Sequence, residues 1–171
     1  FRAGHCLGTV HLADIFVRWF ADRLRERRGA IIRDVDLQNF RIAALLHDLG
    51  HGPFSHALEN VLARNPSYRP KVRTSNGDTK EATRHEELTI DLLLRTDGNV
   101  RQILNKYNID PKEIAKLITG EYKDSLKNLG QIISGDVDVD RIDYILRDMH
   151  HIGMRVKEAI NVTNLIRSFD V

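Results

Sequence analysis

The stretch AALLHDLGHGPFSHALE, Ala43 to Glu59, puts three histidines, an aspartate and a glutamate into seventeen positions of an otherwise apolar run. His47 and Asp48 are consecutive, so on a helix their side chains point about 100° apart and do not face each other. They can still converge on an ion lying just off the helix, because imidazole is long and carboxylate short. Two ligands do not close such a site. His5, far upstream, and one aspartate of the DVDVD stretch at 136–140 would add a second nitrogen and a second oxygen. Two nitrogens and two oxygens suit Mn, Fe, Ni or Zn, with Mg possible but less well matched, and leave coordination positions for water and substrate. His56 and Glu59 stand at i and i+3, where the carboxylate can orient the imidazole and raise its pKa towards that of a general acid. Asp140, Tyr144 and Asp148 repeat at i, i+4 and i+8 with Arg141 beside them. One helix face could thus present a ligand, a hydroxyl donor and a cation together.

These side chains need helices to hold them. From His5 to about Leu24, apolar Leu12, Phe16, Trp19, Phe20 and Leu24 recur at helical spacing and predict a long amphipathic helix. Asp36 is the expected N-cap of a second helix carrying Ile42, Leu45, Leu46 and Leu49, with Gly50 as its stop, so that His47 and Asp48 fall on its C-terminal end. Gly52-Pro53 is expected to start a third helix, whose free N–H groups would suit a phosphate. Residues 65–82 read as a long polar loop or flap. Thr83 to Glu86 has the spacing of a capping box before a fourth helix, and Asp110-Pro111 opens another that ends near Gly120. Ile142, Ile145, Leu146 and Met149 predict a last motif helix ending at Gly153. No alternating strand signal stands out, which makes the fold class all-α.

Composition limits the alternatives. The chain has 171 residues, 42% hydrophobic and 29% charged, the profile of one ordinary globular domain. The lone Cys6 excludes an internal disulfide framework and reads as a buried helical thiol. No signal-like or membrane-spanning run occurs, so a cytoplasmic protein with no membrane partner is expected. A formal net charge of +2 does not call for a nucleic-acid partner, and the six arginines between Arg18 and Arg33 read as a solvated basic helix end. His11 reads as structural, His150-His151 as a helix terminus, and Asp143 with Arg147 at i, i+4 as a surface ion pair.

HDLGHGPFSH, preceded by the stretch around His5 and followed by His85-Glu86 and DVDRIDYILRDMHHIG, resembles the HD-domain phosphohydrolases, specifically their deoxynucleoside triphosphate triphosphohydrolase branch. The likeness runs from about Arg2 to Gly153, with four separated motifs in the right order. It implies an all-α HD-domain helical bundle over residues 1–171, with a metal centre between helices, as a catalytic segment of a longer protein. It implies one divalent ion on His5, His47, Asp48 and Asp140, the last because the family's ligand directly precedes a basic residue, here Arg141. His51, His56 and Glu59 match the family's catalytic turn, with Glu59 where an aspartate is commoner, and His85 and Glu86 match a second catalytic pair. Arg2, Arg141, Tyr144 and Asp148 match positions that hold phosphates or line the pocket. The implied substrate is a nucleotide, most specifically a deoxynucleoside triphosphate cleaved to nucleoside and triphosphate, by a homo-oligomer. The alternatives are another HD phosphohydrolase, acting on a monophosphate or phosphodiester, and a nucleotide-sensing regulator without turnover. Retention of both His56-Glu59 and His85-Glu86 argues against the sensor.

Overall fold

The computed structural model describes residues 2–29, 31–121, 127–154 and 160–168. The two chain ends, Phe1 and Val171, lie outside them. In chain order the described helices are α1 (Arg2–Arg28), α2 (Asp34–Leu46), α3 (His56–Arg64), α4 (His85–Leu94), α5 (Asn99–Lys106), α6 (Pro111–Thr119), α7 (Lys127–Ser134), α8 (Val139–His151) and α9 (Val162–Ser168). A 3-10 turn at Pro66–Tyr68 and two short strands, β1 (Lys71–Arg73) and β2 (Thr79–Glu81), lie between α3 and α4. The chain divides into two compact units: Phe1–Leu45 with Gly120–Val171, and Leu46–Thr119.

In the first unit α1 packs against α7 and α8. Its predicted stripe is the buried one: Leu12, Phe16, Phe20 and Leu24 are all within the core, joined by Phe40, Ile133, Val139 and Ile142 from the other helices. Trp19 stays partly exposed, with the Arg23 guanidinium 5.3 Å from its ring centroid, a cation–π contact that lets the indole cover its neighbours without entering the core. The helix is longer than the stripe at both ends, since Arg2 to Gly4 and Arg25 to Arg27 add turns that bury little. Asp36 is not the cap of α2. It sits inside the first turn and reaches back, accepting from the Arg33 backbone amide at 3.2 Å and from its guanidinium at 2.8 and 2.9 Å.

In the second unit α4 packs on α5, α6 and β1, burying Ile90, Leu93 and Leu94 with Ile114, Ala115 and Leu117. The segment expected to be an irregular flap contains an antiparallel hairpin, with Lys71 opposite Glu81 and Arg73 opposite Thr79. Three residues per strand and one buried side chain, Val72, give no alternation for the eye to find. The turn is legible in hindsight: Gly77 adopts φ 93°, which favours glycine, and the Thr74 amide donates to the Asp78 carbonyl at 2.8 Å. The N-terminus of α4 is set one residue later than the sequence suggests. Glu87, not Glu86, reaches back to the amides of Thr83 and Arg84, at 2.7 and 3.1 Å, which leaves Glu86 for other work.

Candidate active site

Each unit carries its own cluster of imidazoles and carboxylates. In the first, α1 presents His5 and α8 presents Asp140 and Asp143. His5 Nε2 lies 2.9 Å from Asp140 Oδ1, and His5 Nδ1–H donates to Asp143 Oδ2 at 2.7 Å. The hydrogen bond to Asp140 does most to raise the imidazole pKa to about 9; burial opposes it, and the Asp143 bond adds to the rise. Asp138 and Asp140 part company here. Asp138 is the N-cap of α8 and accepts the Arg141 amide at 2.8 Å, while Asp140, about 200° further round the helix, faces His5.

Asp143 and Arg147 are not the surface pair that their spacing suggests. Asp143 is buried at 7% exposure, because it must reach His5 on the facing helix. Arg147 donates to both its oxygens at 3.1 Å and to the Gly4 carbonyl at 2.7 Å. The outward positions of α8 are open: Arg141, Tyr144 and Asp148 are exposed, and the Arg141 guanidinium donates to the Asp136 carbonyl. Arg2 is exposed on the first turn of α1.

In the second unit the cluster hangs on a turn. The α2 helix ends at Leu46, so His47 and Asp48 lie in the turn that follows rather than on the last helical turn. Thr89 of α4 pins this turn from inside. Its hydroxyl donates to the His47 carbonyl at 3.0 Å and accepts the Gly50 N–H at 2.8 Å. A Cβ on residue 50 would come within 2.3 Å of the Thr89 amide nitrogen, so glycine is required by close approach rather than as a helix stop. Asp48 Oδ1 is thereby set among three imidazole nitrogens: Nε2 of His47 at 3.3 Å, of His51 at 3.4 Å and of His85 at 3.8 Å. The His51 and His85 rings stack at 3.7 Å.

Helix α3 starts at His56, not at Pro53, because Phe54 and Ser55 take left-handed conformations, φ 63° and 49°, that reverse the chain first. Two consecutive non-glycine residues there hold strain of the kind met at functional sites. His56 Nδ1–H then donates to Glu59 Oε2 at 3.0 Å. Glu59 does more than orient His56. Its other oxygen accepts the His85 backbone N–H at 2.9 Å and the His85 Nδ1–H at 2.5 Å. Burial, the largest single influence, pushes the Glu59 carboxyl up, yet the donors from His56 and His85 outweigh it and hold the pKa at about 2. Glu86 accepts from the Arg84 guanidinium at 2.6 Å, with its second oxygen 3.5 Å from His85 Nδ1.

The donor chemistry suits a divalent ion. Among the described residues of the second unit, ligand atoms of His51, His56 and His85 lie within 4.8 Å of one another, as do those of Glu59, His85 and Glu86. Nitrogen and oxygen donors in such sets match transition metals or zinc, and His5 with Asp140 offers a like pair in the first unit. Sequence reasoning read Asp143 and Arg147 only as a surface pair and passed over Thr89. The threonine inside the apolar run from Leu88 to Leu94 was the one available signal, since a buried hydroxyl needs a partner.

Residues 2–148 match the HD domain family. The chain belongs to this family, within the HD-domain phosphohydrolase superfamily. It is 37% identical to an uncharacterised protein of Mycoplasma pneumoniae, the MG461 homolog, over 78% of this chain and 29% of that protein. It is 31% identical to the mouse deoxynucleoside triphosphate triphosphohydrolase SAMHD1, over 90% of this chain and 25% of that one. A crystal structure of a phosphohydrolase from Bacteroides thetaiotaomicron superposes with a TM-score of 0.62 at 28% identity, covering 98% of this chain and 34% of that one. The chain thus spans about a quarter to a third of the length of these relatives. No helix among the described residues is long and apolar enough to cross a membrane.

Proposed function

We propose that residues 1–171 are the HD domain of a metal-dependent phosphohydrolase that cleaves deoxynucleoside triphosphates to deoxynucleoside and triphosphate. The observation that carries this reading is the Glu59 carboxylate shared between His56 and His85, with His85 Nε2 turned towards Asp48. Such an arrangement serves proton transfer at two points, which a sensor has no need to keep. The identity to a triphosphohydrolase over most of this chain supports the choice of substrate.

In this reading His5, His47, Asp48 and Asp140 hold one divalent ion, which when bound supplies Lewis acidity at the α-phosphorus. The residues do the rest. His85, with its Nδ1 proton held on Glu59, has Nε2 free in tautomer to take a proton from the attacking water. His56, held through Nδ1 on the other Glu59 oxygen, gives its Nε2 proton to the departing 5′ oxygen. The water oxygen–phosphorus bond forms as the phosphorus–5′ oxygen bond breaks, and the proton account closes between two imidazoles that share one carboxylate. His51 stacks on His85 and limits its rotation, while Glu86 stands beside it. Arg2, Arg141 and Tyr144 are assigned to the phosphates and Asp148 to the pocket wall. Their exposure on α1 and α8 is compatible with a polyanionic ligand arriving from solvent. Assembly as a homo-oligomer and a cytoplasmic location, beside the nucleotide pool, belong to the same reading.

The test is a panel of nucleoside mono-, di- and triphosphates, with and without the 2′-hydroxyl, incubated with the full-length protein and Mn²⁺ or Fe²⁺ and resolved by product chromatography. Inorganic triphosphate as the released product supports the reading. Release of orthophosphate or pyrophosphate alone, or no release from any nucleotide, would sink it.

A further inference from the structure

We propose that Asp143 is a positioning residue for His5, fixing which ring nitrogen of that histidine is offered to the ion; this rests on the reading of His5 as a metal ligand. Three features of the α1–α8 contact carry it. First, Asp143 Oδ2 accepts the His5 Nδ1–H at 2.7 Å, which directs the opposite nitrogen, Nε2, to the Asp140 side, where it lies 2.9 Å from Oδ1. A histidine ligand whose second nitrogen is held by a carboxylate is fixed in tautomer and ring angle together.

Second, the backbone of α1 has been cut away to admit this carboxylate. Gly8 is one turn after His5, and a Cβ there would fall 1.7 Å from Asp143 Oδ1. An ordinary i, i+4 ion pair between Asp143 and Arg147 needs no such hollow, since it could stand on the outer face of α8. Third, Arg147 fixes the carboxylate from behind. Its guanidinium spans Asp143 and the Gly4 carbonyl, so Gly4, just before His5, and Gly8, one turn after it, both take part in the seat. A buried carboxylate is costly unless its charge and lone pairs are met, and here one oxygen is met by His5 and both by Arg147.

The test compares Mn²⁺ affinity, by competition with a chelator, with the melting temperature of the metal-stripped protein, both on the full-length chain. Asp143→Asn should weaken Mn²⁺ binding by about 10–100-fold, the usual worth of a carboxylate behind a ligating histidine. Arg147→Met keeps the Asp143–His5 bond and removes the tether. It should lower the melting temperature at least as much as Asp143→Asn while changing Mn²⁺ affinity by less than about threefold. A merely structural Asp143 would instead move affinity and melting together in both variants, or leave affinity at the wild-type value, and either result overturns the proposal. If Asp143→Asn does not fold, Gly8→Ala decides, because it displaces the carboxylate without deleting it: weakened Mn²⁺ binding supports the proposal and wild-type binding refutes it. His5→Ala separates this inference from the reading it rests on. If that variant loses the ion and Asp143→Asn does not, the positioning role alone fails; if it binds like wild type, the ligand assignment fails and the positioning role with it.

Discussion

The two clusters are built on opposite plans. In the first unit one imidazole, His5, lies between two carboxylates, and the three residues come from helices 135 or more positions apart in sequence, His5 and Asp143 being separated by 138. In the second unit the imidazoles outnumber the carboxylates, and His47, Asp48, His51, His56, Glu59 and His85 all lie within one compact stretch of chain. The first cluster is held by helix packing, so its geometry is as firm as the α1–α8 contact. The second is held by a strained turn, a buried threonine and one shared glutamate. In the proposed function the difference is a division of labour: His5 and Asp140 of the first cluster serve only the ion, whereas the second cluster joins two ion ligands, His47 and Asp48, to imidazoles on one carboxylate that suit moving protons.

The strongest test of that division uses a substrate that needs no proton on its leaving group. On a deoxynucleoside triphosphate, Asp140→Asn in the first unit and Asp48→Ala in the second should both abolish turnover. His56→Ala should lose about 10²–10⁴ in turnover, the range for a positioned proton donor, and keep the metal. On a nitrophenyl phosphodiester the His56 defect should shrink by most of that factor, while both aspartate defects stay complete. Equal loss in all three variants on the activated ester would make His56 a ligand or a structural residue, and would erase the contrast between the clusters.

A second contrast concerns how each cluster is supported. A Cβ at Gly50 would meet backbone, the Thr89 nitrogen at 2.3 Å and the His85 carbonyl at 2.4 Å, neither of which can step aside. A Cβ at Gly8 would meet the Asp143 side chain, which can swing away at the cost of its bond to His5. Gly50→Ala should therefore destabilise by about 3 kcal/mol, the upper end for overpacking, because α4 must move. Gly8→Ala gains roughly 1 kcal/mol of helix propensity, which offsets much of its clash, so its net change in a denaturant melt should be about 1 kcal/mol. A larger loss at Gly8 than at Gly50 would reverse the assignment of rigid and yielding supports.

How far the sequence anticipated this follows from the same contrast. The buried stripe of α1 was legible because helical periodicity is a local property, and so was the His56–Glu59 contact at i, i+3; of the stripe expected on α8 only Ile142 is buried, and Ile145 is exposed. The hairpin was not, because its pairing is made by three-residue strands that bury one side chain. The start of α3 was misplaced because Pro53 is a good first helical residue, and only the left-handed backbone at Phe54 and Ser55 shows that the chain turns before it coils. Asp143 was misread because a local rule, i, i+4 pairing, explained it fully. Its partner His5 lies on another helix, and a contact between residues 138 apart leaves no trace in spacing.

The smallest expected effect, and the one most specific to the second cluster, is a pH dependence. Glu59 has a carboxyl pKa of about 2 in the folded protein against an ordinary value of 4.5. A depressed carboxyl contributes stability that is present above 4.5 and is lost as pH falls through 2, because over that window the unfolded chain takes up the proton and the folded one does not. Glu59→Gln has no such carboxyl, so the stability gap between it and the wild type should narrow steadily as pH is lowered from 4.5 towards 3. Denaturant melts of both proteins at half-unit steps would measure it. A gap between wild type and Glu59→Gln that stays constant down to pH 3 would mean that the side chain contributes by shape and hydrogen bonding alone. In that case its charge could not be what holds His56 and His85 ready for proton transfer, and the shared-carboxylate account of the second cluster would have to be given up.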